Sequence, residues 1–218
     1  MKTKLIIKKN KIVSPTIGKC NDYTKEAISK IEKFFNKKID FKIIFLKSRD
    51  EINKTYSNFF GKDYQTENWV VGGFFGKDTV YILNEDSFDS ESCHPKKEFF
   101  PTLVHEITHI FIKKIFGFQY PFWLNEGIAS VVADQDNINL DKKDNLQNAY
   151  TQEDWIKKNP YLTAGKFTRF LINEYSKEKV FELMKKLDIQ EKKDSFKEKF
   201  KKIFENDFDT IWECWFKK

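Results

Sequence analysis

Two histidines and a glutamate carry the first chemical signal in this chain. The stretch Thr102-Leu103-Val104-His105-Glu106-Ile107-Thr108-His109-Ile110 contains the pattern His-Glu-x-x-His. On a helix, residues four apart lie on one face, one turn from each other. Both imidazoles can therefore be turned on a single ion. Glu106 lies about 100° further round the same helix, since a turn takes 3.6 residues. It is badly placed as a third ligand and well placed to reach a water beside the ion. Two ligands and a general base on one turn is the arrangement of zinc hydrolases. The chain has only three histidines among 218 residues. Its own His and Glu frequencies give a chance expectation of roughly three in a thousand for one such pentapeptide. The plainer reading is two ordinary helix histidines beside a surface glutamate, and context decides between them.

A catalytic zinc usually takes three protein ligands and leaves a position for water. Downstream of His109 lies Pro121-Phe122-Trp123-Leu124-Asn125-Glu126-Gly127-Ile128-Ala129-Ser130. Glu126 is an acid inside an otherwise apolar segment. A carboxylate in such a place needs a partner, and a metal is a sufficient one. The competing reading is an exposed acid in the first turn of a short helix, favoured there by the dipole.

The elements that must hold these residues are legible from periodicity. The pattern predicts a buried helix over Lys96–Phe116, regular from about Phe99 because Pro101 is tolerated only in the first turn, with Gly117 as its stop. A shorter helix follows over Phe122–Asp134. Ahead of them, Leu5–Val13 reads as a short strand or ordered arm, and Tyr23–Phe35 as an amphipathic helix. Phe41–Leu46 reads as a buried strand. Ser48–Phe60 reads as a weaker helix with a Ser48/Glu51 capping box. Two strands around a tight turn are expected in Trp69–Gly76 and Thr79–Leu83. Glu85–Pro95 reads as a polar loop, Gln135–Asn148 as another, and Glu153–Lys157 as a single turn. From Tyr161 onward the apolar stripes are helical and have the character of core. Strands first and helices after predict an α+β fold.

Composition bounds the rest. The length suits one domain, with residues 1–117 as an α/β lobe and 118–218 as a helical lobe. Forty per cent apolar residues and 23 phenylalanines are enough for a core. The net charge of +6 comes from dispersed lysine, without a basic block or nucleic-acid motif, so a solvated surface is expected rather than nucleic-acid binding. The three cysteines, Cys20, Cys93 and Cys214, are far apart and form no Cys-x-x-Cys pair. That suits free thiols in a reducing compartment. No apolar run is long enough to span a membrane, and the N-terminus lacks a signal-peptide core. A cytoplasmic monomer is expected, with secretion requiring a leader ahead of this sequence.

The combination of His105-Glu106-x-x-His109 with Trp123-Leu124-Asn125-Glu126-Gly127 resembles the gluzincin metallopeptidases, the clan of thermolysin and aminopeptidase N, and most closely their peptidase MA-like domains. The resemblance implies a thermolysin-like zincin fold in a single catalytic domain over residues 1–218. It implies His105, His109 and Glu126 as ligands of one zinc ion, and Glu106 as the base. It further implies a role for Tyr161, which opens the segment Tyr161-Leu162-Thr163-Ala164, as hydrogen-bond donor to the oxyanion of the tetrahedral intermediate, with Tyr150 as a competitor and helix packing as the ordinary alternative. It places Thr79–Leu83 where the clan has its active-site edge strand. Two positions depart from the clan. The glycine-rich stretch Gly72–Gly76 carries no acid to hold a substrate amine, so aminopeptidase activity is not supported. Ser130 stands where thermolysin relatives have an aspartate supporting a histidine; Asp134 is the nearest substitute.

The implied activity is zinc-dependent hydrolysis of a peptide or protein substrate. Zinc lowers the pKa of a water to near neutrality, Glu106 takes its proton, and the leaving amine receives it. Adjacent Cys93 and His94 form a weaker candidate, since neighbouring side chains point apart. His94 itself is expected to be solvated. The contrasting expectation is a catalytically silent zincin-like binding or regulatory module. Glu106 separates the two, because a scaffold has no use for a base there.

Overall fold

The strand over Phe41–Leu46 (β3) is the one around which the sheet is assembled. Phe41, Ile43 and Phe45 are buried on one face, and Lys42 and Ile44 lie partly exposed on the other. The computed structural model describes residues 3–8, 11–12, 20–61, 63–117, 120–136, 146, 161–189 and 191–217. Among them the sheet has five strands: β1 (Thr3–Lys8), β2 (Lys11–Ile12), β3, β4 (Gly72–Phe75) and β5 (Thr79–Leu83). Their order is β2-β1-β3-β5-β4. β3 pairs antiparallel with β1 and parallel with β5, and β4 pairs antiparallel with β5. The sheet is mixed and small, and the fold is α+β, as expected.

Two strand expectations are corrected. β1 and β2 pair antiparallel, with Ile7 opposite Ile12 and Lys8 opposite Lys11, so the segment read as one short strand or an ordered arm holds two strands. The first strand of the second pair is also shorter than Trp69–Gly76. The carbonyls of Glu67 and Asn68 accept from Arg49 at 3.1 and 2.8 Å, Val70 also accepts from Arg49, and the Trp69 carbonyl faces His94 Nε2 at 2.9 Å. Backbone so committed does not join a ladder.

The chain divides into two compact units, Met1–Phe111 and Ile112–Lys218. In the first, α1 (Cys20–Phe35) and α2 (Arg49–Phe60) accompany the sheet. Ser48 caps α2, accepting from the Glu51 amide at 3.4 Å, while the Glu51 carboxylate accepts from the Lys47 amide at 3.0 Å. A 3-10 turn, Lys96–Glu98, leads into α3 (Phe99–Ile115), where Pro101 falls in the first turn. Gly117, at φ 81°, ends it by donating its amide to the Ile112 carbonyl at 3.3 Å. Phe99 packs on Tyr23, Phe45 and Phe88 with ring centroids 6.0, 6.5 and 5.6 Å away. Phe111 packs on Phe35 and Phe41 at 5.6 and 6.1 Å. Burial of each such ring is worth about 1.5–3 kcal/mol. The two rings lie three turns apart along α3, with the motif between them.

The second unit is helical. It holds α4 (Phe122–Val132), α5 (Tyr161–Tyr175), α6 (Lys177–Lys186), α7 (Lys193–Phe204) and α8 (Phe208–Phe216). Buried Trp123 meets Phe167, Phe196 and Phe208 at 5.4, 6.0 and 5.7 Å. Phe167 meets Trp212 and Trp215 at 5.0 and 5.2 Å. These are the stripes read from the sequence as core. α4 stops two residues before the expected Asp134, because Asp134 takes the left-handed conformation at φ 56°. The expected turn over Glu153–Lys157 and the competitor Tyr150 lie outside the described residues, as does nearly all of the expected loop after Asp136.

Candidate metal centre

Helix α3 does with His105 and His109 what the spacing predicts. The two rings stand 4.8 Å apart, centroid to centroid, and 77° from coplanar. His105 is buried at 7% exposure, and His109 and Glu106 are half-buried. The helix buries Leu103, Val104, Ile107, Ile110 and Phe111 completely. Thr108 satisfies its hydroxyl within the helix, donating to the Val104 carbonyl at 2.8 Å. The apolar residues fix the rotation of α3, and the rotation decides where the imidazoles face.

Glu126 is the fifth residue of α4 and is 6% exposed. The reading of it as a solvated first-turn acid is set aside by that burial. What seats it is a close approach of α4 to α5. A Cβ on Gly127 would lie 2.7 Å from the Ala164 carbonyl oxygen and would collide with Thr168 Oγ1. A Cβ on Gly165 would lie 2.9 Å from that of Asp136 and 3.0 Å from that of Ser130. Gly127 and Ser130 on one helix, and Ala164, Gly165 and Thr168 on the other, are small enough to let the backbones meet. Ser130 is thus part of this packing.

One donor atom each from His105, His109 and Glu126 lies within 4.8 Å of the other two. Ligands about 2.0–2.2 Å from zinc lie at most about 4.4 Å apart across the ion, so donors grouped within 4.8 Å need only a small inward movement to share one coordination sphere. Two imidazoles and one carboxylate form a donor set that zinc accepts, and a buried carboxylate in an apolar helix is the group that most needs a cation. The group can hold a metal ion, and the residues present fit zinc.

The remaining candidates fall elsewhere. Tyr161 is the first residue of α5 and is half-buried. It stands outside the three-residue group. Asp134 is exposed and pairs with Arg169 at 3.3 Å. Arg169 was not singled out by sequence, yet it is the chief polar tie of this unit. Its Nε and Nη2 donate to both carboxylate oxygens of Asp136, at 2.7 and 2.8 Å, and Nη2 also donates to the Val131 carbonyl at 3.0 Å. The hydrogen bonds it donates to Asp136 hold the guanidinium more firmly charged than usual, against the effect of burial. His94 is not a solvated side chain: Nδ1 lies 2.8 Å from a Glu98 carboxylate oxygen and Nε2 lies 2.9 Å from the Trp69 carbonyl. With both nitrogens engaged it offers no base to the free, exposed Cys93.

The strand Thr79–Leu83 is not an edge. β5 is bonded to β3 on one side and β4 on the other, and β4 is the terminal strand among the described residues. A second residue missed by sequence stands beside that edge. Tyr56, on α2, donates its hydroxyl to the Gly72 carbonyl at 2.9 Å. Burial pushes its phenol well above the ordinary value, the negative charge of Glu106 adds to the effect, and Arg49 opposes it. The readable signal was a tyrosine on the same face as buried Ile52 of a polar helix, since a buried phenol needs a hydrogen-bond partner.

Comparison with protein-family models, with curated proteins and with solved structures returned no match. Among the described residues, no helix is long and apolar enough to cross a membrane.

Proposed function

We propose that this protein is a zinc-dependent metallopeptidase of the gluzincin type, with a thermolysin-like zincin fold, acting on a peptide or protein substrate as a cytoplasmic monomer. The observation that carries the reading is the convergence of His105, His109 and Glu126 on one point, with Glu106 on the same helical turn as the two histidines. His105, His109 and Glu126 hold the ion. When bound, zinc acts as a Lewis acid and brings the pKa of water near neutrality. Glu106 removes the proton from the attacking water and delivers it to the departing amine. Tyr161 donates to the oxyanion of the tetrahedral intermediate, a contribution of about 3 kcal/mol for donors of this kind. Gly72 and Gly73 supply no acid for a free amino terminus, which points away from aminopeptidase action.

The test is peptide-cleavage profiling of zinc-loaded protein against a broad library. Cleavage that disappears on chelation and returns with zinc supports the proposal. A fully zinc-loaded protein that cleaves nothing in the library is a binding module instead.

A further inference from the structure

Four consecutive carbonyls run up to Val71 ahead of β4, and two side chains face all of them. Arg49 donates to those of Glu67 at 3.1 Å, Asn68 at 2.8 Å and Val70. The fourth, on Trp69, lies 2.9 Å from His94 Nε2. The other ring nitrogen, Nδ1, lies 2.8 Å from a Glu98 carboxylate oxygen. A carbonyl and a carboxylate both offer lone pairs and no hydrogen, whereas a neutral imidazole has one N–H. The neutral ring therefore satisfies one side and sets a lone pair against the other. Only the imidazolium donates in both directions. Arginine keeps its charge throughout the physiological range; histidine is the side chain that changes its charge there.

Glu98, on the turn before α3, is the charged group that faces the ring. On the same turn Lys96 is drawn to Glu85 and Asp86, at 4.0 and 3.6 Å, and Lys97 is exposed. From α2, Arg49 is engaged with the carbonyl run and with the Glu91 carbonyl at 2.6 Å, and its amide donates to the Glu91 carboxylate at 2.8 Å. Cys93, the adjacent residue, donates its amide to the Asn68 carbonyl at 3.3 Å. Buried Phe88, with its ring 6.0 Å away, brings no charge. We propose that His94 is a pH-operated latch: as an imidazolium it ties the Glu67–Val70 segment, with exposed Trp69, to Glu98 at the head of α3, and as a neutral ring it lets one of those two ties go. All of these residues belong to the unit Met1–Phe111, and the latch is independent of the peptidase reading. The segment is fastened at the acidic end of the physiological range and loosened at the alkaline end.

The test is hydrogen exchange by mass spectrometry on the full chain with zinc in excess, at about pH 5.5 and about pH 8, either side of an ordinary imidazole. Rates are corrected for the intrinsic pH dependence of amide exchange. In wild type, protection of the peptide spanning residues 66–71 falls about three- to tenfold from the lower pH to the higher, the scale of one charge-assisted hydrogen bond reduced for partial exposure. A peptide from β3 shows no such fall. Metal release at the acidic end would loosen the chain there, which is the opposite trend. In Glu98→Gln the side-chain amide donates to a neutral ring and accepts from a charged one, so both forms bond and the fall disappears. In His94→Gln nothing titrates, and the fall disappears again. The two side chains are 31% and 45% exposed, so neither substitution threatens the fold. Equal protection at both pH values in wild type overturns the proposal, as does a fall that persists in either variant.

Discussion

Gly127 of α4 lies so close to Ala164 of α5 that a Cβ on the glycine would stand 2.7 Å from the alanine carbonyl oxygen. Glu126 is the residue beside that contact. Alanine at position 127 gains about 1 kcal/mol in helix propensity and loses about 1–3 kcal/mol to overpacking. Here the clash is with backbone, and with Thr168, which is itself buried. Neither yields cheaply, so overpacking wins. Gly127→Ala is expected to lower the thermal midpoint by several degrees and to weaken zinc binding, measured by calorimetry and by zinc titration. An unchanged midpoint with unchanged zinc affinity contradicts the account of how Glu126 is seated.

Glu126→Gln keeps shape and removes a ligand charge. Zinc at a hundredfold its Kd stabilises a folded protein by about 2.7 kcal/mol. That gain, read as the rise in midpoint on adding zinc, is expected in wild type and lost in Glu126→Gln. Groups that merely support a metal ligand cost about 10–100-fold in affinity when removed, and a ligand itself costs at least as much. An equal zinc-induced rise in both proteins removes Glu126 from the site.

Much of this site was legible beforehand. His105, Glu106 and His109 needed only helical spacing, and Glu126 stood out because an acid was surrounded by Trp123, Leu124 and Ile128. The bounds of α3 followed from Pro101 and Gly117, both local rules. Pairing was not legible. Whether β4 or β5 lies at the edge depends on β3, more than thirty residues away in the chain, and no local pattern reports it. Tyr56 and Arg169 were missed for the same reason, since their partners, Gly72 and Asp136, are sixteen and thirty-three residues distant.

Arg169 supplies a stability test. Asp136 is only 3% exposed at its side chain, and its partner Arg169 is about a third exposed. Removing one partner of a buried pair typically costs about 3–5 kcal/mol, and the partial exposure of the arginine places this case near the low end. Arg169→Met is expected to cost about 3 kcal/mol in urea unfolding. A cost near zero shows that the pair is screened.

The raised phenol of Tyr56 predicts alkaline behaviour. Its folded pKa lies above the unfolded one, so the stability it contributes is complete below the unfolded value of about 10 and is lost as pH rises through the folded value. Wild type should therefore lose more stability between mildly and strongly alkaline pH than Tyr56→Phe does. Thermal melts across that range check it, and parallel curves for the two proteins contradict it.

The most direct test of the central claim is turnover of peptide substrate by wild type and Glu106→Gln at matched zinc occupancy. General-base catalysis is worth about 10²–10⁴-fold. The expected result is one zinc per chain in both proteins, cleavage in wild type, and a rate in Glu106→Gln lower by at least about 10²-fold. Equal rates in the two proteins, or no cleavage by zinc-loaded wild type, contradict the account.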